Sequence, residues 1–222
     1  MTQTAIAHTE LVKRFEAVYT STLSDVLDEL GHTEQCLSPS IAPLRPGMRL
    51  AGPAFVAEGR PSTGLEYQSS MRRILECLQA VPARSVAVYK SHDGDSAQLG
   101  DLAATSLIAR GCAGVITDGG CRDVAMVLES GLPVFCRFRT PRDCTPRWDL
   151  LRWGHSVEIG GVTVNTGDYL VADHDGTVVI PHQLRDEVLT RAEEIVRTER
   201  AIRVAIREGL PPLDALDRYG MF

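Results

Sequence analysis

The chain has 222 residues, 44% of them hydrophobic and 23% charged, and a formal net charge of -6. That length suits one large domain better than two, and the acidic balance argues against general nucleic-acid binding, which needs a basic footprint. No apolar run is long enough to span a membrane, no signal-peptide pattern opens the chain, and the scattered cysteines lack CxxC spacing, so reduced thiols in a cytoplasmic protein are expected.

In chain order, Glu10 to Tyr19 places Leu11, Phe15 and Val18 on one helical face. A second helix is predicted over Leu23 to Leu30, whose apolar residues recur at helical spacing. Ser21-Thr22 offers it a hydroxyl cap, and Gly31 suits the position after its last turn. His32 to Pro46 carries three prolines and reads as extended loop. Arg49 to Glu58 reads as a strand interrupted at Gly52-Pro53. Leu65 to Ala80 is predicted helical, with Met71, Ile74, Leu75 and Leu78 as its inward stripe. Ser85 to Tyr89 is a short apolar run of the kind buried on both faces of a sheet.

A polar loop, Lys90 to Gln98, then leads to Gly100-Asp101. Asp101 is a good N-cap for a helix running to Arg110, with Gly111 beyond it. Gly114 to Thr117 is a strand, Val124 to Ser130 a short helix, and Leu132 to Phe138 another strand. This alternation implies a parallel βαβαβ centre with right-handed crossovers. Arg139 to Trp153 reads as loop. Val157 to Ile159 and Val162 to Val164 form a hairpin across Gly160-Gly161. Turns at Asn165–Asp168 and Asp173–Gly176 frame strands Tyr169–Ala172 and Thr177–Ile180. A long helix, Leu184 to Arg207, follows, and Gly209 to Pro212 breaks it. The expectation is one α/β domain over 1–222, with antiparallel hairpins and helical flanks at 1–31 and 184–222.

In parallel α/β sheets ligands bind where loops leave the carboxyl ends of strands. Two such loops deliver Gly100-Asp101 and Arg122-Asp123. Gly100 permits close backbone approach. The N–H groups of Asp101, Leu102 and Ala103 open a helix and favour a carboxylate or enolate oxygen. Arg122 offers a planar fork for a carboxylate, and Asp123 a hard oxygen ligand for a cation that keeps its waters. Asp101 is placed to orient one of those waters. On spacing alone Asp101 also reads as a plain cap, Arg122-Asp123 as a loop ion pair, and Gly119-Gly120 as a turn. Cys121 beside Arg122 is a weaker candidate nucleophile without a His partner. His155, His174 and His182 fall in turn-rich stretches without metal-ligand spacing and read as solvated turn residues, and Arg139, Arg142 and Arg147 form a basic loop cluster. The only lysines are Lys13 and Lys90, which disfavours a Schiff-base enzyme.

The segments STLSDVLDELG, PLRPGMRLAGPA, LGDLAATSLIARGCAGVITDGGCRD and GDYLVADHDGTVVIP, in that order, resemble the RraA-like proteins. These include the 4-hydroxy-4-methyl-2-oxoglutarate (HMG) aldolases, also called class II pyruvate aldolases. The resemblance implies a swivelling β/β/α-type fold and a trimer or hexamer with sites between subunits. It implies Mg²⁺ or Mn²⁺ held through Asp123, with pyruvate bound by Arg122 and the Gly100–Ala103 backbone. It also implies a water positioned by Asp101 and a carboxylate from a neighbouring subunit, matched to Glu199, with Glu194 and Glu34 as alternatives. The implied reaction is cleavage of 4-hydroxy-2-oxo acids to pyruvate, with oxaloacetate decarboxylation, through a metal-stabilised enolate. The competing role is that of family members that bind and inhibit a ribonuclease. One departure is the apolar Val124-Ala125-Met126, where many relatives carry an acid.

Overall fold

The computed structural model describes residues 3–222, with side chains from residue 10 onward; residues 1–2 of the expected N-terminal flank lie outside the described residues. Helices α1 (Gln3–Glu16) and α2 (Thr20–Glu29) come first. Short β1 (Ala42–Pro43) and long β2 (Leu50–Pro61) follow, then α3 (Tyr67–Ala80), β3 (Val86–Lys90), β4 (Ala97–Leu99) and α4 (Asp101–Ala109). The centre continues through β5 (Gly114–Thr117), β6 (Gly120–Cys121), α5 (Val124–Ser130), β7 (Val134–Cys136) and β8 (Phe138–Arg139). Next come β9 (Trp148–Trp153), the hairpin β10 (Ser156–Ile159) and β11 (Val162–Asn165), and strands β12 (Tyr169–Ala172) and β13 (Thr177–Ile180). Helices α6 (Arg185–Arg207) and α7 (Pro212–Tyr219) close the chain.

The main sheet has the order β1-β7-β5-β3-β2-β12-β13. Strands β2, β3, β5 and β7 are parallel and joined by α3, α4 and α5, so the expected parallel centre is present with one strand more. β2 is the spine. Its residues Leu50–Pro53 pair with β12, Ala54–Glu58 with β3, and Ala57–Pro61 with β9. The expected interruption at Gly52-Pro53 does not occur. A Cβ on Gly52 would lie 2.5 Å from the Arg84 carbonyl oxygen, so glycine serves close strand approach there. Pro53 pairs with Tyr169 of β12 and falls just before the first residue paired with β3, so the strand passes through it as it changes partners.

The expected loop 139–153 contains β9. Its pattern, WDLLRW, is short and only Trp148 and Leu150 are fully buried, which hides the strand period. β9 is locked to β2 by Trp148, whose indole N–H donates to the Ser91 carbonyl (2.8 Å) and whose ring lies over Gly59. The C-terminal prolines begin α7 instead of only ending α6, since proline suits a first helical turn.

The start of α2 also differs from expectation. Ser21-Thr22 does not cap it; Tyr19 is the N-cap and makes no side-chain cap bond. The carboxylate of Asp173, from the β12–β13 turn, accepts from the Thr20 N–H (3.0 Å) and the Thr20 hydroxyl (2.6 Å). A residue distant in sequence thus satisfies the helix end. α1, α2 and α6 pack a second apolar cluster onto β12 and β13, in which Phe15 stacks on Tyr169 at 4.4 Å. The Arg14 guanidinium makes a two-pronged pair with Glu193 of α6, at 2.8 Å on each prong.

His155 is not in a solvated turn. Its Nε2 lies 3.1 Å from Glu58 Oε2, while His92 and Arg152 hold the same carboxylate at 3.0 and 2.9 Å. Burial works against the charged form, but these three hydrogen bonds outweigh it and hold the Glu58 carboxyl at about 2. A depressed folded pKa stabilises the fold above the unfolded value near 4.5, and that contribution disappears as pH falls from there through about 2. Because His92 and Arg152 are substantially exposed, it amounts to about 1–3 kcal/mol. Glu58→Gln should therefore lower the urea midpoint at pH 7, and the gap from the unmodified protein should shrink by pH 3. An equal gap at both values would show that the cluster contributes nothing through ionisation.

Candidate active site

β3 and β5 are parallel neighbours, so the two loops that leave their carboxyl ends rise from one edge. Beside that edge sits a small parallel sheet, β4-β6-β8, whose three short strands were not expected as a sheet of their own. It pairs Leu99 with Cys121, and the Arg122 N–H donates to the Leu99 carbonyl at 2.9 Å. That register brings Gly100-Asp101 and Arg122-Asp123 side by side. Helices α4 and α5 both begin there.

The N-cap of α4 is Gly100, and Asp101 is its first helical residue, not the cap expected from its side chain. The first turn closes with Ala104 N–H to Gly100 O at 3.0 Å. The Asp101 N–H is already committed, donating to Asp123 Oδ2 at 3.2 Å. Of the three N–H groups expected to face a ligand, those of Leu102 and Ala103 therefore remain open. A Cβ on Gly100 would lie 2.7 Å from Asp123 Oδ2 and 3.0 Å from Arg122 Nε, so this glycine allows both side chains to close over the helix end.

Asp123 is the N-cap of α5 and adopts the left-handed conformation, φ 51 and ψ 38. Aspartate tolerates this region better than most residues, and strain of this kind collects at functional sites. Arg122 Nε lies 3.5 Å from Asp123 Oδ2, and its Nη1 lies 3.4 Å from Asp143 Oδ1. Both distances exceed the roughly 2.7–2.9 Å of a tight charge-assisted bond, so the fork is steered without being saturated. Asp143 was not among the expected site residues. It lies in the Pro- and Arg-rich segment, and only the return of that segment against β4, through Ala97 N–H to Arg142 O (2.9 Å), brings it to the site.

These groups form one end of a crevice of about 480 Å³. Much of the remaining lining is apolar: Met71, Ile74, Leu75 and Leu78 of α3 with Met126 of α5. The α3 stripe is thus only partly core. Leu78 is buried, Met71 and Ile74 are half-buried, and Leu75 is 48% exposed.

Several other expected roles are changed by the geometry. Cys121 is buried and its thiol is pushed up to about 12, first by burial, so it is no nucleophile. Gly119 and Gly120 serve close packing and not a left-handed turn, since a Cβ would strike Gln98 at one and Phe138 at the other. Lys90 does not reach the crevice but pairs with buried Asp118 at 2.9 Å. Arg139 bonds the Leu44 carbonyl, Arg142 pairs with Asp95, and Arg147 donates to the Asp143 carbonyl, so the basic cluster braces loops. His174 and His182 are exposed, as expected. Glu199 pairs with Arg203 along α6, Glu194 lies 3.9 Å from Arg197, and Glu34 sits on the exposed segment after α2. None of the three lines the crevice of its own chain.

Among the described residues no group of three or more His, Cys, Asp or Glu side chains could hold a metal. Asp123 lines the crevice and has the chemistry for a hard cation that keeps its waters: its side chain is 42% exposed, and its described polar contacts are to Oδ2 alone.

The family model for RraA-like proteins, described as Aldolase/RraA, matches residues 20–179. The chain is 30% identical over 198 residues to Protein DlpA of Legionella pneumophila, an alignment that covers 89% of this chain and 32% of that protein, about a third of its length. It is 26% identical to a Halalkalibacterium halodurans protein that carries the provisional name 4-hydroxy-4-methyl-2-oxoglutarate aldolase, covering 94% of each. The crystal structure of Streptomyces coelicolor RraAS2, described as an unusual member of the RNase ES inhibitor RraA family, superposes with a TM-score of 0.78 at 28% identity, covering 87% of this chain and 96% of that one.

Proposed function

The chain belongs to the RraA-like family, and from that premise we propose that it is a divalent-cation-dependent pyruvate lyase acting on 4-hydroxy-2-oxo acids such as HMG, with oxaloacetate decarboxylation as a second reaction. The observation that carries this is the convergence of two open helix-end N–H groups, one unsaturated arginine fork and one exposed carboxylate in a single crevice. Asp123 would hold the cation, Mg²⁺ or Mn²⁺, which when bound would supply positive charge to stabilise the enolate. Arg122 and the N–H groups of Leu102 and Ala103 bind and orient the pyruvoyl half. In cleavage the C4 hydroxyl loses its proton to a water held at the Asp101 carboxylate. The C3–C4 bond breaks, C4 becomes a carbonyl, and the electron pair moves to the C2–C3 enolate. Arg122 stabilises the developing oxyanion, and C3 then takes up a proton to give pyruvate. Lys90, held by Asp118, has no part in this.

The proposal includes a homo-oligomer, trimer or hexamer, in which Glu199 of a neighbouring copy, or Glu194 or Glu34, adds a carboxylate to the crevice. The likeness to an RNase-inhibitor family member supports a second reading, a regulator that acts by binding a ribonuclease. One assay separates the two. Purified protein is expected to cleave HMG or decarboxylate oxaloacetate, to lose that activity in EDTA, and to regain it with Mg²⁺ or Mn²⁺. Turnover that ignores EDTA would remove the cation from the scheme. Absence of turnover together with tight binding to a ribonuclease would favour the regulator.

A further inference from the structure

Resting on the lyase proposal, we infer that the wall formed by α3 and α5 selects substrates whose C4 substituent is apolar, alkyl or aryl, over those carrying a second carboxylate there. The pyruvoyl half accounts for the polar end of the crevice. Away from those groups the lining is mainly apolar, with Met71, Ile74, Leu75, Leu78 and Met126 against the uncharged polar Gln98 and Thr145. Leu75 and Met126 are 48% and 53% exposed, so they present apolar surface that a ligand could cover.

Charge points the same way. Among the residues lining the crevice the one cation is Arg122, set against Asp101, Asp123 and Asp143. Arg122 is already shared by Asp123 and Asp143 and is assigned to the pyruvoyl carboxylate. The nearby Arg73 is committed elsewhere, bonding the Leu150 and Leu151 carbonyls. With the cation on Asp123 and Arg122 both assigned to the pyruvoyl half, a distal carboxylate would lose water against thioether and isobutyl groups and meet no further cationic side chain among the lining residues. A methyl or phenyl group gains from the same surface.

The test uses the full chain supplied with Mg²⁺. Exchange of the pyruvate methyl hydrogens in D₂O reports the pyruvoyl half alone. Cleavage is then compared for 4-hydroxy-2-oxopentanoate and 4-hydroxy-2-oxo-4-phenylbutanoate against HMG. The expected result is exchange, with kcat/KM at least about tenfold higher for the apolar substrates. Met126→Arg and, separately, Leu75→Arg should narrow or reverse that ratio, which is read within one protein and so does not depend on the amount folded. Exchange with HMG equal or preferred overturns the inference and leaves the lyase intact. An apolar preference that both variants retain unchanged also overturns it, because the wall is then not what reads C4. Absence of exchange and of cleavage defeats the lyase proposal and the inference with it.

Discussion

Arg122→Ala should lower kcat/KM for every 2-oxo acid cleaved by this protein by about 10²–10³-fold, the usual cost of removing one oxyanion-stabilising donor. Its side chain is 35% exposed and its ion contacts are long, 3.5 Å to Asp123 and 3.4 Å to Asp143. Exposed pairs of that geometry contribute little to stability. The backbone bond from the Arg122 N–H to Leu99, which fixes β4 against β6, does not depend on the side chain. Thermal stability should therefore stay within a few degrees of the unmodified protein while activity collapses. Arg122→Lys should recover only part of the loss, because an ammonium keeps the charge but cannot bind a carboxylate with two parallel N–H donors. Steady-state kinetics on HMG and oxaloacetate, read beside a thermal melt, check this. Full activity in Arg122→Ala would remove the arginine from the site.

The parts of this site that could be read from sequence are those encoded by local rules. Glycine after a helix marks the ends of α2, α4 and α5 at Gly31, Gly111 and Gly131, all with positive φ. Apolar runs locate β3 and β5, and adjacency of parallel strands carries Gly100-Asp101 to Arg122-Asp123. What was not legible depends on long-range partners. The small sheet β4-β6-β8 consists of strands of two or three residues, too short for any periodicity. The cap of α2 comes from Asp173, far along the chain, and looks locally like a turn residue. Asp143 belongs to no motif and reaches Arg122 only because its loop returns along Ala97. The α3 stripe has core periodicity yet faces a crevice, since the spacing of apolar residues reports a common face but not what covers it.

Gly100→Ala separates geometry from stability most cleanly. The backbone there is extended, φ -140 and ψ -175, a conformation alanine adopts without strain. As an N-cap, alanine is poorer than glycine by about 1 kcal/mol or less. The three atoms nearest the added methyl carbon all belong to side chains: Asp123 Oδ2 at 2.7 Å, Arg122 Nε at 3.0 Å and Arg122 Cγ at 3.1 Å. Both side chains are partly exposed, 35% for Arg122 and 42% for Asp123, so the fold can yield by moving them. The same movement breaks the approach of Asp123 Oδ2 to the Asp101 N–H, now 3.2 Å, and turns the arginine fork away from the pyruvoyl position. Displacement of reacting groups by about 1 Å can cost on the order of 10²-fold in rate. The expected outcome is a loss of about 10²-fold in kcat/KM with the urea midpoint nearly unchanged. A variant that loses stability and activity in proportion would instead make Gly100 a structural residue of the β4–α4 junction. One that retains full activity would show that Asp123, Arg122 and the head of α4 do not act together on the substrate.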